Sequence, residues 1–339
     1  MPAPDLSILR SALNWLAEGR RVALATVIQT WGSAPQPVGS QLLIDGDGNF
    51  LGSVSGGCVE GAVITEAADV LSSGKSKVLK YEVEDGTAWK VGLACGGTIR
   101  IFLQPLAAGS TDGVLRQLLG EVERRRPIAL VTELATGAAN LAHSPADLHG
   151  ELALALEDAF GRDRSVSLEG HDGEVFINVF NPRVRLVIIG AVHVAQSLVP
   201  MARALGYDVA IVDPRSAFAT EERFAGVEIA SEWPDEALPR IGVDRRTAVV
   251  VLSHDPKIDD PALIYALGSE AFYVGALGSK QTHAKRVERL RQAGIAAADI
   301  ERIHTPIGLD IGAQGSAEIA LSIIAEITAT QRGKWQGRR

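Results

Sequence analysis

The chain contains two cysteines, and each lies beside a pair of glycines. Cys58 follows Gly56 and Gly57, and Cys95 precedes the pair Gly96-Gly97. A thiolate is a nucleophile and a soft metal ligand, and its pKa falls where a helix N-terminus supplies backbone N–H groups. The sequence therefore predicts a reactive or metal-binding thiol at Cys58, matched by a second at Cys95. Two small buried thiols in tight turns are the alternative.

Glu60 lies two residues after Cys58, in the first turn of a helix predicted over residues 59–72. A carboxylate at this position either complements the helix dipole or accepts a proton and orients a ligand. The glycines before it allow a close approach of the backbone to a ligand, and the helix N-terminus offers N–H groups to a thiolate or a phosphate. Both roles for Glu60 stay open.

A loop over residues 30–40, rich in glycine, proline and hydroxyl groups, precedes these motifs. Strands predicted over 21–30 and 41–44 hold the two ends of this loop. Ser33 and Gln36 are its candidates for ligand contact, and a plain surface loop is the alternative.

The C-terminal half begins with an apolar strand over 184–189 and a turn that opens at Gly190. A helix and a second strand follow, and Asp213 comes 23 residues after Gly190. This is the layout of a dinucleotide-binding βαβ unit, in which such an acid recognises ribose. Val192 stands where the second glycine would let the backbone approach a pyrophosphate, which counts against standard NAD binding. His193 either donates to a phosphate or lies in the helix cap.

Further along, Ser279 and Lys280 open a helix predicted over 282–292, where they are placed to meet a phosphate. A solvated lysine is the alternative for Lys280. His254 and Asp255 follow a buried strand over 247–252, at the edge where open α/β sheets collect binding residues.

These patterns predict an α/β protein with two domains. The first is an N-terminal α+β domain over residues 1–181, and the second is a Rossmann-like doubly wound parallel sheet over 182–330, followed by a frayed tail over 331–339. Within the first domain, residues 135–173 are predicted to form a polar connecting region with surface histidines at 143, 149 and 171.

The 339 residues carry a net charge of −8 and are 46% hydrophobic. This balance argues against a general nucleic-acid or anionic membrane surface. No apolar run reaches the roughly 20 residues of a membrane-spanning helix, and the N-terminus lacks a signal-peptide pattern. We therefore expect a cytoplasmic protein whose partners are small molecules and proteins.

Seven motifs, in this order along the chain, resemble those of the XdhC/CoxI family, the accessory proteins that mature xanthine dehydrogenase and aerobic carbon monoxide dehydrogenase. They are Gly32-Ser33-Ala34-Pro35, the segment Gly52 to Glu60, Leu93-Ala94-Cys95-Gly96-Gly97, Gly190 to Ala195, Asp213-Pro214-Arg215, Gly275 to Lys280, and Gly308 to Ala313.

The resemblance implies a chaperone that holds the molybdenum cofactor, often in its sulfurated form, and delivers it to an apo-molybdenum hydroxylase. It makes Cys58 a cofactor and metal contact, Cys95 a second contact, and Glu60 the carboxylate that follows the first. A cysteine desulfurase is an implied partner, and we expect a homodimer.

Two positions depart from the family pattern. The family usually carries Arg where Gln36 stands, and glycine is common where Val192 stands. A neutral amide cannot replace a bidentate phosphate ligand, so weaker binding or a different cofactor form is expected.

Two other functions compete with this interpretation. One is an NAD(P)-dependent oxidoreductase with Cys58 as its catalytic thiol, and the other is a protein-docking factor with structural cysteines. The sequence shows no Ser-His-Asp order, no carboxylate pair and no closed metal cage, which favours a maturation factor over an enzyme.

Overall fold

The computed structural model describes residues 6–32, 36–82, 97–107, 111–170 and 173–334. The chain divides into two compact units, Met1–Pro182 (unit 1) and Arg183–Arg339 (unit 2). The division falls inside the tripeptide Asn181-Pro182-Arg183, where proline interrupts the strand pattern.

Unit 1 is built on two antiparallel sheets. The first consists of β1 (Val22–Trp31), β2 (Gln41–Asp45), β3 (Phe50–Gly52), β4 (Lys77–Tyr81) and β5 (Thr98–Leu106). These strands lie in the order β3-β2-β1-β5-β4. The helices beside this sheet are α1 (Leu6–Ala17), α2 (Glu60–Ser73) and α3 (Thr111–Glu123).

Strand β1 is buried on both faces, which explains its nearly continuous apolar sequence. Val22 and Leu24 point to one side, where they pack with residues of α1 and α3. Ala23 and Ala25 point to the other, where they pack with α2. Because successive side chains of a strand alternate between faces, helices on both sides require apolar residues at every position.

The second sheet of unit 1 has four strands in the order β7-β6-β9-β8. They are β6 (Ile128–Glu133), β7 (Ala139–Ala142), β8 (Val166–Gly170) and β9 (Gly173–Phe180), and helix α4 (Glu151–Arg162) packs on them. The prediction of a polar connecting region over 135–173 is therefore wrong. Leu156 and Ala159 are buried on the side of α4 that packs on the sheet, and the charged residues of α4 face water.

The surface histidines of this segment are a separate matter. His143 and His149 are exposed, and His171 lies outside the described residues.

Unit 2 contains one six-stranded parallel sheet, and four of the five connections between its strands contain helices. The strands are β10 (Arg185–Ile189), β11 (Asp208–Val212), β12 (Glu228–Ala230), β13 (Thr247–Val251), β14 (Tyr273–Ala276) and β15 (Ile303–His304). Their order is β12-β11-β10-β13-β14-β15, the order of a dinucleotide-binding fold. This confirms the predicted Rossmann-like sheet.

Helices cover both faces of the parallel sheet. They are α5 (His193–Ala204), α6 (Pro234–Ile241), α7 (Pro256–Leu267), α8 (Lys280–Gln292), α9 (Ala297–Ile300) and α10 (Ser316–Gln331). Helices α5 and α10 fill one face, and α6, α7 and α8 fill the other. The strand order reverses between β10 and β13, so the ends of these two strands form the crevice where such folds bind ligands.

No helix among the described residues is long and apolar enough to cross a membrane.

Candidate functional site

The loop between β3 and α2 is organised around the carboxylate of Glu60. Glu60 is the first residue of α2, and only 7% of its surface is exposed. Its Oε1 accepts hydrogen bonds from the hydroxyl of Ser53 at 2.7 Å and from the backbone N–H groups of Val54 at 3.1 Å and Ser55 at 2.8 Å. Its Oε2 accepts from the Ser55 hydroxyl and from the N–H of Gly57 at 2.9 Å. A single buried carboxylate thus holds residues 53–57 against the start of α2.

Two serine hydroxyls accept hydrogen bonds from the backbone N–H groups that do not donate to Glu60. The Ser53 Oγ accepts from Gly56 at 2.8 Å, and the Ser55 Oγ accepts from Cys58 at 3.0 Å and Val59 at 2.9 Å. Every backbone N–H from residue 54 to residue 59 therefore has an acceptor inside the loop.

This use of the N–H groups corrects one expectation from the sequence. We expected the glycines and the helix N-terminus to leave N–H groups for a thiolate or a phosphate. In the structure the N–H groups of Gly56 and Gly57 are already bound, because a buried carboxylate must be fully hydrogen-bonded to be tolerated. Any contact of these glycines with a ligand is then through their exposed Cα groups.

The hydrogen bonds also decide the charge of Glu60. Burial by itself raises the pKa of the carboxyl, but the bonds from Ser55, Ser53 and the backbone outweigh it and lower the pKa to about 2. A carboxylate with this pKa is a poor proton acceptor at neutral pH. Of the two roles left open by the sequence, proton transfer is disfavoured, and the fixed negative charge at the start of α2 complements the helix dipole.

The thiol of Cys58 is left as the loop's one unused polar side chain among residues 53–60. Cys58 is a half-buried free cysteine, and its side chain packs against the apolar cluster under α2. Val38, from the loop after β1, packs against the same cluster. A soft thiol is thus held at the surface by a rigid loop.

Three other sequence candidates belong to this part of the chain. Gln36 is half-buried in a bend between β1 and β2. Ser33 and Cys95 lie outside the described residues. Among the described residues, no three His, Cys, Asp or Glu side chains come together in a group that could hold a metal.

A cleft of about 520 Å³ opens in unit 1 beside the end of β1. Trp31, which is 45% exposed, and Val38 lie on one wall, and Arg164 lies on the wall formed by the segment after α4. Arg164 forms no ion pair with any described residue. This volume is within the range of small-molecule sites, and the wall combines an aromatic ring with a cation.

The glycine turn of unit 2 lies directly against the loop that follows β13. Gly190 has a φ of 105°, and a Cβ on it would lie 2.8 Å from the backbone nitrogen of Ser253. Glycine at this position allows the loops after β10 and β13 to touch.

Asp213 is fully buried at the end of β11, and its carboxylate is occupied. Its Oδ2 accepts from the N–H of Ala191 at 2.8 Å, and both of its oxygens accept from the Arg215 guanidinium at 2.8 Å. Burial raises the pKa of Asp213, but the bonds from Arg215 and Ala191 lower it further than burial raises it. Arg215 therefore compensates the charge of Asp213, and because both carboxylate oxygens are occupied, ribose recognition by Asp213 is left without support.

The remaining candidates of unit 2 are exposed. His193 opens α5, and its Nδ1 lies 3.2 Å from Oε1 of Gln196. Ser279 is the N-cap of α8, and its hydroxyl accepts from the N–H of Thr282 at 3.1 Å. Lys280 forms no ion pair with any described residue. The structure thus gives Ser279 a capping role and leaves Lys280 in solvent.

Sequence reasoning did not single out Arg286, which is only 1% exposed. It lies among charged residues of α8, where the local pattern indicates a solvated side chain. The available signal was its spacing of four from Leu290, which is also buried, since residues four apart share one face of a helix.

Known proteins resemble this chain over nearly its whole length. Residues 186–327 match the family described as the XdhC Rossmann domain, and residues 15–82 match the XdhC and CoxI family. The Escherichia coli (strain K12) protein named molybdenum cofactor insertion chaperone PaoD is 30% identical over 326 residues, which cover 96% of this chain and 88% of that protein. A Bacillus subtilis (strain 168) protein, named as a probable subunit of xanthine dehydrogenase, is 27% identical over 335 residues, covering 94% of this chain and 95% of that one.

A solved structure gives the same result for the fold. A crystal structure described as a xanthine dehydrogenase from Bacillus halodurans superposes with a TM-score of 0.71 at 25% identity, covering 98% of this chain and 97% of that one. Two family matches in chain order, together with a relative of this identity and coverage, leave one conclusion: the chain belongs to the XdhC and CoxI family.

Proposed function

We propose that this protein binds the molybdenum cofactor and delivers it to an apo-molybdenum hydroxylase. The observation that carries the proposal is the Cys58 thiol, presented by a loop in which the other polar side chains and the backbone N–H groups are already hydrogen-bonded. The name of the Escherichia coli relative, a molybdenum cofactor insertion chaperone, supplies the ligand class.

The residues of this loop fit such a ligand. Molybdenum carrying sulfur ligands is a soft centre, and a thiolate is the soft donor among protein side chains. A rigid loop holds Cys58 without help from the ligand, so binding orders few additional groups. The cleft beside Trp31 and Arg164 has room for an organic ring system with an anionic substituent.

When bound, the cofactor would supply the redox-active metal, and the protein would supply retention. Cys58 would hold the cofactor through its thiolate, and Glu60 fixes the loop in place. A carrier must release its ligand, and a single protein thiol in the described part of the site favours exchange over a closed metal cage. In sulfurated form the cofactor needs a sulfur source, for which a cysteine desulfurase is the proposed partner.

The test is anaerobic equilibrium binding of purified molybdenum cofactor to the wild-type protein and to Cys58→Ala. We expect near-stoichiometric binding to the wild type and loss of most retention in the variant. The melting temperature should stay nearly unchanged, because the thiol is half-buried in a loop and its removal leaves no large cavity. Thr65→Ala, an exposed change on α2, is the matched control and should retain the cofactor.

Wild-type retention by Cys58→Ala would remove Cys58 from the site. NAD(H) titrated in parallel addresses the oxidoreductase alternative, whose support is the strand order of unit 2. We expect no saturable NAD(H) binding at the glycine turn, because Asp213 holds the N–H of Ala191.

A further inference from the structure

A second cleft, in unit 2, lies at the carboxyl ends of β13 and β14. It has a volume of about 240 Å³ and is lined by the loop that follows β13, by the first turn of α7 and by residues 281–289 of α8. Open parallel sheets bind their ligands at this edge. The cleft is large enough for a phosphate group with part of its carrier molecule.

Arg286 lines this cleft with a guanidinium that the protein does not satisfy. Its Nη2 donates to the carbonyl oxygen of Leu277 at 2.9 Å and lies 3.7 Å from Oδ2 of Asp259. Its Nε and Nη1 are buried and have no acceptor among the described residues. Buried donors without acceptors carry a desolvation penalty, so a ligand that accepts from them would be bound favourably.

The charges around Arg286 favour an anion. Lys285 and Arg289 also line the cleft, and Lys285 is exposed and forms no ion pair with any described residue. Arg289 is held by Asp260. The acidic side chain of the lining is Asp259, which is buried and accepts the hydroxyl of Ser253 at 2.5 Å. Burial raises the pKa of Asp259.

The neighbouring glycine turn makes the cleft more significant. In a dinucleotide-binding fold the phosphates sit at the turn after the first strand. Here the N–H of Ala191 in that turn already donates to the Asp213 carboxylate, so it is not available to a phosphate. Between the glycine turn and the Arg286 cleft, the cleft is therefore the more favourable place for an anion in unit 2.

We propose that the cleft binds the phosphate group of a small molecule, with Arg286, whose Nε and Nη1 have no acceptor among the described residues, as the charged donor and Lys285 at the rim. A guanidinium forms charge-assisted hydrogen bonds with phosphate oxygens. The phosphate belongs either to a free nucleotide or to the pterin cofactor, and the second of these sources rests on the function proposed above.

The test is isothermal titration of the full chain with inorganic phosphate and with adenosine monophosphate. We expect one phosphate site in the wild type, weakened by about tenfold or more in Arg286→Met, because a charge-assisted hydrogen bond to the phosphate is lost. Lys285→Ala is a surface change that does not endanger folding, and it should weaken binding by about threefold, as expected for one exposed charge. Arg291→Ala is the control, since Arg291 is exposed on the same helix but outside the cleft.

Failure of the wild type to bind either probe at millimolar concentration overturns the proposal. So does wild-type affinity in both Arg286→Met and Lys285→Ala. Binding of adenosine monophosphate in competition with phosphate identifies a nucleotide as the source. Loss of molybdenum cofactor retention in Arg286→Met, without nucleotide binding to the wild type, identifies the cofactor's own phosphate. Because these variants leave Cys58 intact, failure here does not bear on the Cys58 test.

Discussion

At the scale of single residues, Glu60 determines the shape of the loop that carries Cys58. Removing its charge should weaken five hydrogen bonds at once, because Gln offers one acceptor oxygen and one donor group where Glu offers two acceptors. We expect Glu60→Gln to lower the free energy of unfolding by about 2 kcal/mol at pH 7. Urea unfolding followed by circular dichroism measures this difference.

The loss of stability caused by Glu60→Gln should depend on pH. The carboxyl of Glu60 has a pKa of about 2 in the folded protein against an ordinary value of 4.5. A lowered pKa gives stability that is present above the unfolded value and is lost as the pH falls toward the folded one. The stability gap between the wild type and Glu60→Gln should therefore shrink between about pH 5 and pH 2.

Glu66→Gln is the control for both measurements. Glu66 lies on the same helix, and its ion pair with Lys77 is at the surface. Such pairs contribute little, so a small and nearly pH-independent effect is expected. An equal effect from both substitutions would show that the loop does not depend on its buried carboxylate.

At the scale of elements, the turn before α2 requires glycine for its backbone conformation. Gly57 has a φ of 110°, and a Cβ on it would meet no atom within 4 Å. The strain of Gly57→Ala is therefore conformational, and we expect it to lower the free energy of unfolding by about 1–2 kcal/mol. Gly61 on α2 also has open space, but its φ is negative, so Gly61→Ala should stabilise the protein by up to about 1 kcal/mol. Opposite signs in chemical denaturation support this interpretation, and matching signs contradict it.

The elements differ in how readily the sequence predicts them. The strands of unit 2 are buried on both faces and form continuous apolar runs, so the parallel sheet was predictable. Helix α4 was not, because its buried stripe is narrow and small residues dilute it. The role of Glu60 was also hidden, since its partners Ser53 and Ser55 lie seven and five residues earlier, outside the spacing of a capping box.

The functional candidates show the same limit. Cys58 could be singled out from the sequence because cysteine is rare in this chain. Its partial exposure follows from its position in a local loop and does not depend on distant residues. Arg286 was hidden because burial of a cation depends on what packs around it, and its neighbour Asp259 is 27 residues away in the sequence. Whether an arginine is solvated or buried in a binding site depends on long-range packing rather than on the local sequence pattern.

At the scale of the whole molecule, unit 2 has a complete sheet and its own apolar clusters. All six strands of the parallel sheet and the helices on both of its faces come from residues after Pro182. Its two apolar clusters consist entirely of residues from 184 onward. A segment of this length is within the range of domains that fold alone.

We therefore predict that residues 183–334, expressed alone, fold with a cooperative thermal transition. The edge strand β12 has only three residues and carries Glu228, which limits pairing with other chains and favours a monomeric fragment. Differential scanning calorimetry measures the transition, and a matched fragment that begins at 193, without β10, is the control. Because β10 pairs with both β11 and β13, its loss leaves the sheet without its centre, and that control should not fold. A non-cooperative transition in the longer fragment would show that unit 2 depends on unit 1 for its stability.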